Sequence, residues 1–79
     1  MPRYFFDLHD CGLIRDDHGL DLPDLAAVRS EAHRALAEIA ADCAGSEAIQ
    51  IRTDVRDAAG QSVLRASLLI VSERVRAAG

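Results

Sequence analysis

The sequence has no tryptophan and no lysine, and its only aromatic residues are the consecutive Tyr4, Phe5 and Phe6. All nine basic residues are therefore arginine, and thirteen acidic residues give a formal net charge of −4. A domain with this charge is poorly suited to nonspecific binding of nucleic acid through its whole surface.

Long apolar runs are also absent. The run at residues 68–71 is far too short to span a membrane, and the opening ten residues contain no run of signal-peptide length. The two cysteines, Cys11 and Cys43, form no CxxC pair, which is typical of free thiols in a reducing compartment. We therefore expect a cytoplasmic protein.

The chain has 79 residues, and we expect them to form a single α+β domain over residues 1–79. A domain of this size buries only about 60% of the surface that its unfolded chain exposes. Its core should therefore be thin, which favours self-association as a source of further burial.

The segment at residues 23–44 predicts one long amphipathic helix. Pro23 suits a first helical turn, either Asp21 or Asp24 is expected to cap it, and Gly45 is expected to end it. Apolar residues recur at steps of three and four along one side: Leu25, Val28, Ala32, Leu36, Ile39 and Cys43.

Alternating apolar and polar residues predict strands at residues 3–8, 13–16, 47–56 and 61–75. Turns that contain aspartate and glycine separate the two strands of each hairpin. The expected fold is α+β in the order β-β-α-β-β. Its four-stranded antiparallel sheet has one long helix packed on one face.

The last hairpin allows a prediction of register. Closing its turn with Arg56 opposite Gln61 keeps apolar residues together on one face and places Arg52 directly opposite Arg65. Two arginines in that position repel each other unless an anion lies between them, and the diagonally placed Asp54 is the expected internal anion.

The sheet face turned away from the helix is expected to carry an apolar patch made by Phe5, Val63, Leu69 and Val71. Isolated surface apolar residues are normal, but a contiguous patch indicates a partner. We therefore predict a non-catalytic protein-interaction module. It is most simply a homodimer formed through the sheet face or an edge strand, and another protein is the alternative partner.

The same face is expected to carry four arginines: Arg3, Arg52, Arg56 and Arg65. The alternative function is a small nucleic-acid-binding regulator that uses this surface, with Phe5 stacking on a base. A single outward aromatic residue and an acidic net charge favour a solvated face or a dimer contact instead. The predicted interaction residues are Phe5, Val63, Leu69, Val71, Arg52 and Arg65.

Two successive turns carry the residues best suited by type to bind a metal or act in catalysis: His9, Asp10, Cys11, Asp16, Asp17 and His18. Their spacing matches no recognised metal site, and aspartate and histidine are ordinary turn residues. Cys11 and His9 would make a nucleophile and a base, but no third residue orients them. We expect no enzyme activity, metal or cofactor, and a metal-dependent or thiol enzyme is the remaining hypothesis.

Four stretches, PRYFFDLHD, RDDHG, LDLPDLAAVRSEAHRALAEIA and VRDAAGQSVLRASL, carry a resemblance to a known family. Together they resemble the bacterial family catalogued as domain of unknown function 6894 over nearly the whole chain. The resemblance implies a small bacterial protein with no assigned activity and no functional residues to carry over. The first half is also similar to the HicB-type antitoxin domain, which implies by analogy a partner-binding role, and an antitoxin-like regulator that uses the arginine-bearing sheet face as the alternative function.

Overall fold

The computed structural model describes residues 1–10, 12–43 and 48–76. Over these residues the chain forms one helix, α1 (Leu25–Asp42), and five strands. The strands are β1 (Arg3–His9), β2 (Leu13–Ile14), β3 (Leu20–Asp21), β4 (Ala48–Asp57) and β5 (Ser62–Val71).

All strand pairs are antiparallel, in the order β2-β1-β4-β5, with β3 pairing to β1 beyond β2. The helix α1 contacts β4 and β5. The predicted α+β fold is thereby confirmed. The segment before the helix, where the sequence predicted no strand, adds the short strand β3, and β5 ends at Val71 rather than at residue 75.

The sequence left two candidates, Asp21 and Asp24, for the residue that caps the start of α1. Asp24 is the N-cap, because its Oδ1 accepts a hydrogen bond of 2.9 Å from the backbone N–H of Ala27. Asp21 pairs with Arg3 instead. The predicted helix end at Gly45 lies outside the described residues.

The core lies between α1 and the two long strands. Tyr4, Val28 and Val55 form its centre, and Val28 and Val55 have no exposed surface. Among the described residues, the buried apolar side chains are Tyr4, Val28, Ala32, Leu36, Ile51 and Val55. The core is as thin as the chain length predicts.

The pairing of β4 with β5 differs from the predicted register by two residues. Asp54 lies directly opposite Arg65, and Arg52 lies opposite Ser67. The prediction that Arg52 faces Arg65 is therefore wrong. A shift of two residues keeps the side chains from Leu64 onward on their expected faces, so the alternating pattern alone did not exclude the error.

The change of register has its origin in a bulge near the turn. Val55 pairs with Leu64 and Arg56 with Ser62, so Val63 has no residue opposite it. Val63 packs against the central core cluster together with Leu64. The prediction that Val63 points outward with the apolar patch is therefore wrong.

Replacing Asp24 by alanine removes the cap of α1 and should lower the free energy of unfolding by about 1 kcal/mol. Urea unfolding followed by circular dichroism measures this change. Asp42→Ala makes the same change of side chain at the last residue of α1. Losing a carboxylate there is neutral or slightly stabilising, because the helix C-terminus is itself negative. Equal destabilisation by both variants would contradict the capping role.

Candidate functional site

The sheet face opposite α1, the outer face, is crossed by a line of charged side chains. Asp7 on β1 lies directly opposite Asp54 on β4. Two carboxylates in this position destabilise a sheet unless each has its own counter-charge. The arginines of the outer face provide these counter-charges, and each carboxylate has a separate set.

Asp54 holds the first set together. Its carboxylate lies 2.6 Å from Arg65 Nε, 3.2 Å from Arg52 Nη2 and 3.0 Å from His9 Nε2. Partial burial opposes ionisation of Asp54, but the hydrogen bond from Arg65 and the charges of both arginines outweigh it and keep its pKa below the usual value. The two predicted interaction residues Arg52 and Arg65 are thus brought together, by a carboxylate of the chain itself.

Three of the side chains around Asp54, those of His9, Arg52 and Arg65, line a polar depression of about 410 Å³. Asp54 and Asp10 balance the charges of Arg52 and Arg65, so these four side chains have no surplus positive charge for an external anion. The residues around the depression include His9, Asp10, Gln50, Arg52, Arg65 and Ser67.

Asp7 holds the second set. Its Oδ2 accepts a 2.9 Å hydrogen bond from Arg56 Nε, and Arg56 Nη2 donates to the backbone carbonyl of Asp16 over 2.7 Å. The guanidinium of Arg56 also lies 4.7 Å from the centroid of the Phe5 ring. Phe5, predicted as an open stacking surface, is half-buried beneath this arginine.

Asp16, predicted to be a solvated turn residue, closes a gap along β1. Its carboxylate accepts hydrogen bonds from the backbone N–H groups of Phe6 (3.0 Å), His18 (2.9 Å) and Gly19 (3.1 Å). Burial opposes its ionisation, but these three donors keep the pKa of Asp16 below its usual value. Asp16 stands two residues before His18 and three before Gly19 in the sequence. Aspartate at such a position commonly accepts hydrogen bonds from the backbone N–H groups of the turn that follows, and this was the signal in the sequence.

The two edges of the sheet therefore differ. On one side β1 is covered by β2, by β3 and, between them, by the carboxylate of Asp16. On the other side β5 runs for ten residues and, within the described part of the chain, pairs only with β4. Leu69 and Val71 are 65% and 58% exposed on β5, so these two predicted interaction residues lie at an open edge.

Where the structure describes them, the candidate metal-binding residues of the two turns do not come together, because their side chains make contacts in different places. His9 contacts Asp54 on the outer face, whereas the Asp16 carboxylate binds backbone N–H groups. Over residues 1–10, 12–43 and 48–76, no three His, Cys, Asp or Glu side chains form a group able to hold a metal ion. Cys11 lies outside the described residues, so the thiol hypothesis stays untested.

A second opening lies beside the helix. Because α1 packs on β4 and β5, an apolar groove of about 430 Å³ remains between α1 and the β1–β2 hairpin. Phe6, Leu8 and Ile14 form one wall, and Leu36 and Ile39 of α1 form the other. The groove offers apolar contact and is separated from the charged outer face by the sheet.

Residues 3–69 match the family model described as Domain of unknown function (DUF6894). The chain belongs to the DUF6894 family. The resemblance seen in the sequence is thus confirmed over most of the chain, and the description of DUF6894 assigns no activity. No curated protein and no solved structure matches this DUF6894 chain. In the described part of the chain, no helix is long and apolar enough to cross a membrane.

Gly19 lets the loop of this DUF6894 domain approach the outer face closely. Its φ is +73°, and an added Cβ would lie 2.8 Å from both Arg3 Cγ and Phe5 Cε2. Gly60 is the matched control, because its φ is +87° but an added Cβ meets no atom within 4 Å. Gly60→Ala should cost about 1 kcal/mol of unfolding free energy through backbone strain.

Gly19→Ala should cost at least roughly 1 kcal/mol more than Gly60→Ala, because overpacking adds to the same strain. Thermal and urea unfolding of the two variants measure the difference. Equal losses would show that the loop does not press on Phe5 and Arg3.

The stability of the fold should fall in acid. Asp7, Asp16 and Asp54 all have lowered pKa values in the folded state. Their stabilisation is fully present above the unfolded-state aspartate pKa of about 3.9 and is lost as the pH falls through the lower folded values. Urea unfolding between pH 7 and pH 2.5 should show the decline beginning below about pH 5.

Asp16→Asn isolates one contribution to this decline. An amide has one acceptor oxygen where the carboxylate has two, so the variant should be less stable at pH 7 and converge toward the parent protein in acid. Asp17→Asn, at the exposed neighbouring position, should keep the parent pH dependence. A constant stability difference between Asp16→Asn and the parent at every pH would contradict the role of the ionised carboxylate.

Proposed function

We propose that this protein is a non-catalytic interaction module that self-associates through β5, the open edge of its sheet. The observation that carries the proposal is the contrast between the two edges. One is covered by β2, β3 and Asp16, whereas β5 pairs on one side only within the described residues.

The backbone of β5 supports this proposal first. An unpaired edge strand presents a row of N–H and C=O groups, which form a ladder with any added strand. Soluble proteins usually protect such an edge with lysine, proline or a short strand. β5 has ten residues, contains neither lysine nor proline, and has its bulge at the turn end, beside Val63.

The side chains of β5 support it as well. Charged residues make up 28% of the whole chain, yet Arg65 is the one charged residue between Ser62 and Val71. Leu69, Ile70 and Val71 follow one another at the end of the strand and are all exposed. A strand of this composition is expected to pair with a protein and not to remain in water.

The outer face supports a stacked dimer or a nucleic-acid site less well. Arg3 pairs with Asp21, Arg56 pairs with Asp7, and Asp54 binds the remaining two arginines of the face. A polynucleotide would have to displace these carboxylates, and Phe5 is already covered by Arg56. A cytoplasmic site of action is part of the proposal and rests on the two isolated cysteines of the sequence.

Light scattering over a concentration series should show a dimer that Leu69→Lys weakens. Leu69 is 65% exposed, so the change costs the folded monomer little, while the added charge at the edge opposes a second strand. We expect the dissociation constant to rise by roughly ten-fold or more.

Val75→Lys is the matched control, because Val75 is 83% exposed in the segment after β5. It introduces the same charge and should leave the dissociation constant unchanged. A parent protein that stays monomeric at millimolar concentration would overturn the proposal, as would equal weakening by Leu69→Lys and Val75→Lys.

A further inference from the structure

We infer that the partner is a second copy of this chain, paired through β5 in one register whose two-fold axis passes at Ser67. In this arrangement the partner's Leu68 and Ile70 complete an apolar site beside α1. The register rests on the self-association proposed above and specifies its geometry.

Symmetry limits the registers that are available. Residues directly opposite each other in an antiparallel ladder point to the same side of the sheet. Two copies of one strand meet this condition around a two-fold axis only when the axis passes through a residue position. The two β5 strands then join into one continuous sheet, with both copies of α1 on the same face.

Strand length reduces the choice to two positions. The bulge at Val63 leaves residues 64–71 as the regular part of β5, so an axis at Ser67 pairs residues 64–70 and an axis at Leu68 pairs residues 65–71. Each of these aligns seven residues of β5, whereas an axis at Ala66 or at Leu69 aligns five. Edge pairing gains from length, so the first two registers are favoured.

The side chains facing α1 separate these two registers. With the axis at Ser67, Ala66 lies opposite the partner's Leu68, and Leu64 lies opposite the partner's Ile70. All four apolar residues on the α1 side of β5 then have an apolar residue opposite them, and the small Ala66 faces a large one. With the axis at Leu68, that large residue faces itself and Leu64 has no residue of the partner's β5 opposite it, so each copy pairs three apolar residues on this side and not four.

Charge agrees with the Ser67 axis. Arg65 is the one charged residue of β5, and in this register it faces the partner's Leu69, so the two copies of Arg65 do not oppose each other. Each guanidinium remains hydrogen-bonded to Asp54 of its own chain, 2.6 Å away. The net charge of −4 on each copy is carried outside this strand, so it does not bring like charges together at the seam.

The groove beside β5 provides the third observation. His33, Leu36 and Ala37 of α1, with Ser67 and Leu68 of β5, line an opening of about 270 Å³ at this edge. Ile70, on the same face, is 38% exposed. A second β5 strand would place the partner's Leu68 beside Ala66 at the mouth of this opening, so each copy would supply apolar side chains that the other lacks.

A disulfide scan tests the register directly. In a Cys11→Ser, Cys43→Ser background, Ser67→Cys places two thiols opposite each other across the axis, within the roughly 4.4–6.8 Å Cα separation that a disulfide requires. Mild oxidation should convert most of this variant to a covalent dimer. Ala66→Cys and Leu68→Cys should cross-link at least roughly five-fold more slowly. In this register residue 66 lies opposite the partner's residue 68, so the two identical cysteines of either variant are offset by two residues along the strands.

Charge substitution at Leu69 gives an independent test that needs no thiol. In the Ser67 register Leu69→Asp faces the partner's Arg65, whereas Leu69→Lys places a like charge there. The dissociation constant of Leu69→Asp should be roughly ten-fold lower than that of Leu69→Lys, since each dimer contains two such pairs.

The outcomes separate the register from the proposed function. A dimer that cross-links fastest through Ala66→Cys or Leu68→Cys, or in which the two Leu69 variants bind equally, would overturn the Ser67 axis and leave self-association standing. A parent protein that remains monomeric would overturn both. Rapid cross-linking of Ser67→Cys together with the ordering of the Leu69 variants would establish the register.

Discussion

Every sheet that does not close has two edges, and the backbone donors and acceptors on both must find partners or water. A chain of 79 residues has few segments that can cover the edges of its sheet, and most of them lie along β1. The short strands β2 and β3 cover the two ends of β1, and the Asp16 carboxylate receives the Phe6 N–H in the gap between them. The ionised state of one side chain thus completes a backbone ladder, and β5 is left as the open edge.

The charged outer face follows from the same arrangement. Placing β1 beside β4 sets Asp7 directly opposite Asp54, and the sheet tolerates this pair because each carboxylate has its own arginines. These arginines therefore stabilise the sheet by balancing the charges of its two facing carboxylates. Arg56 connects three features at once, since it binds Asp7, holds the carbonyl of Asp16 and covers Phe5. A face organised in this way is a poor candidate for binding a polyanion, although its count of arginines suggested one.

Much of the fold followed from periodicity. The stripe through Val28, Ala32 and Leu36 predicted the buried side of α1, and aspartate before the helix predicted its cap. Alternation assigned the faces of β4, and of β5 from Leu64 onward, correctly, but a pattern of period two cannot distinguish a register from one shifted by two residues. The bulge that turns Val63 inward has no signature in that pattern, so the error at this residue followed from the same cause.

The site was less predictable than the fold because its properties depend on contacts between distant segments. The sequence identified Leu69 and Val71 as outward residues, and they are exposed, but their position at an edge depends on the strand order, which two hairpins and a helix do not determine. The role of Asp16 depends on Phe6, ten residues earlier in the chain.

The position of α1 connects the thin core to the open edge. The helix contacts β4 and β5, but the buried strand side chains lie on β4 and β1, and no residue of β5 is fully buried. The flank of α1 reaches the open edge at Leu36 and Ala37. A strand added to β5 would meet both an unpaired backbone and the side of a helix. A strand added at the opposite edge would meet β2, which has two residues, and β3, which also has two. The same small core therefore gains further apolar burial from a partner on one side of the sheet far more readily than on the other.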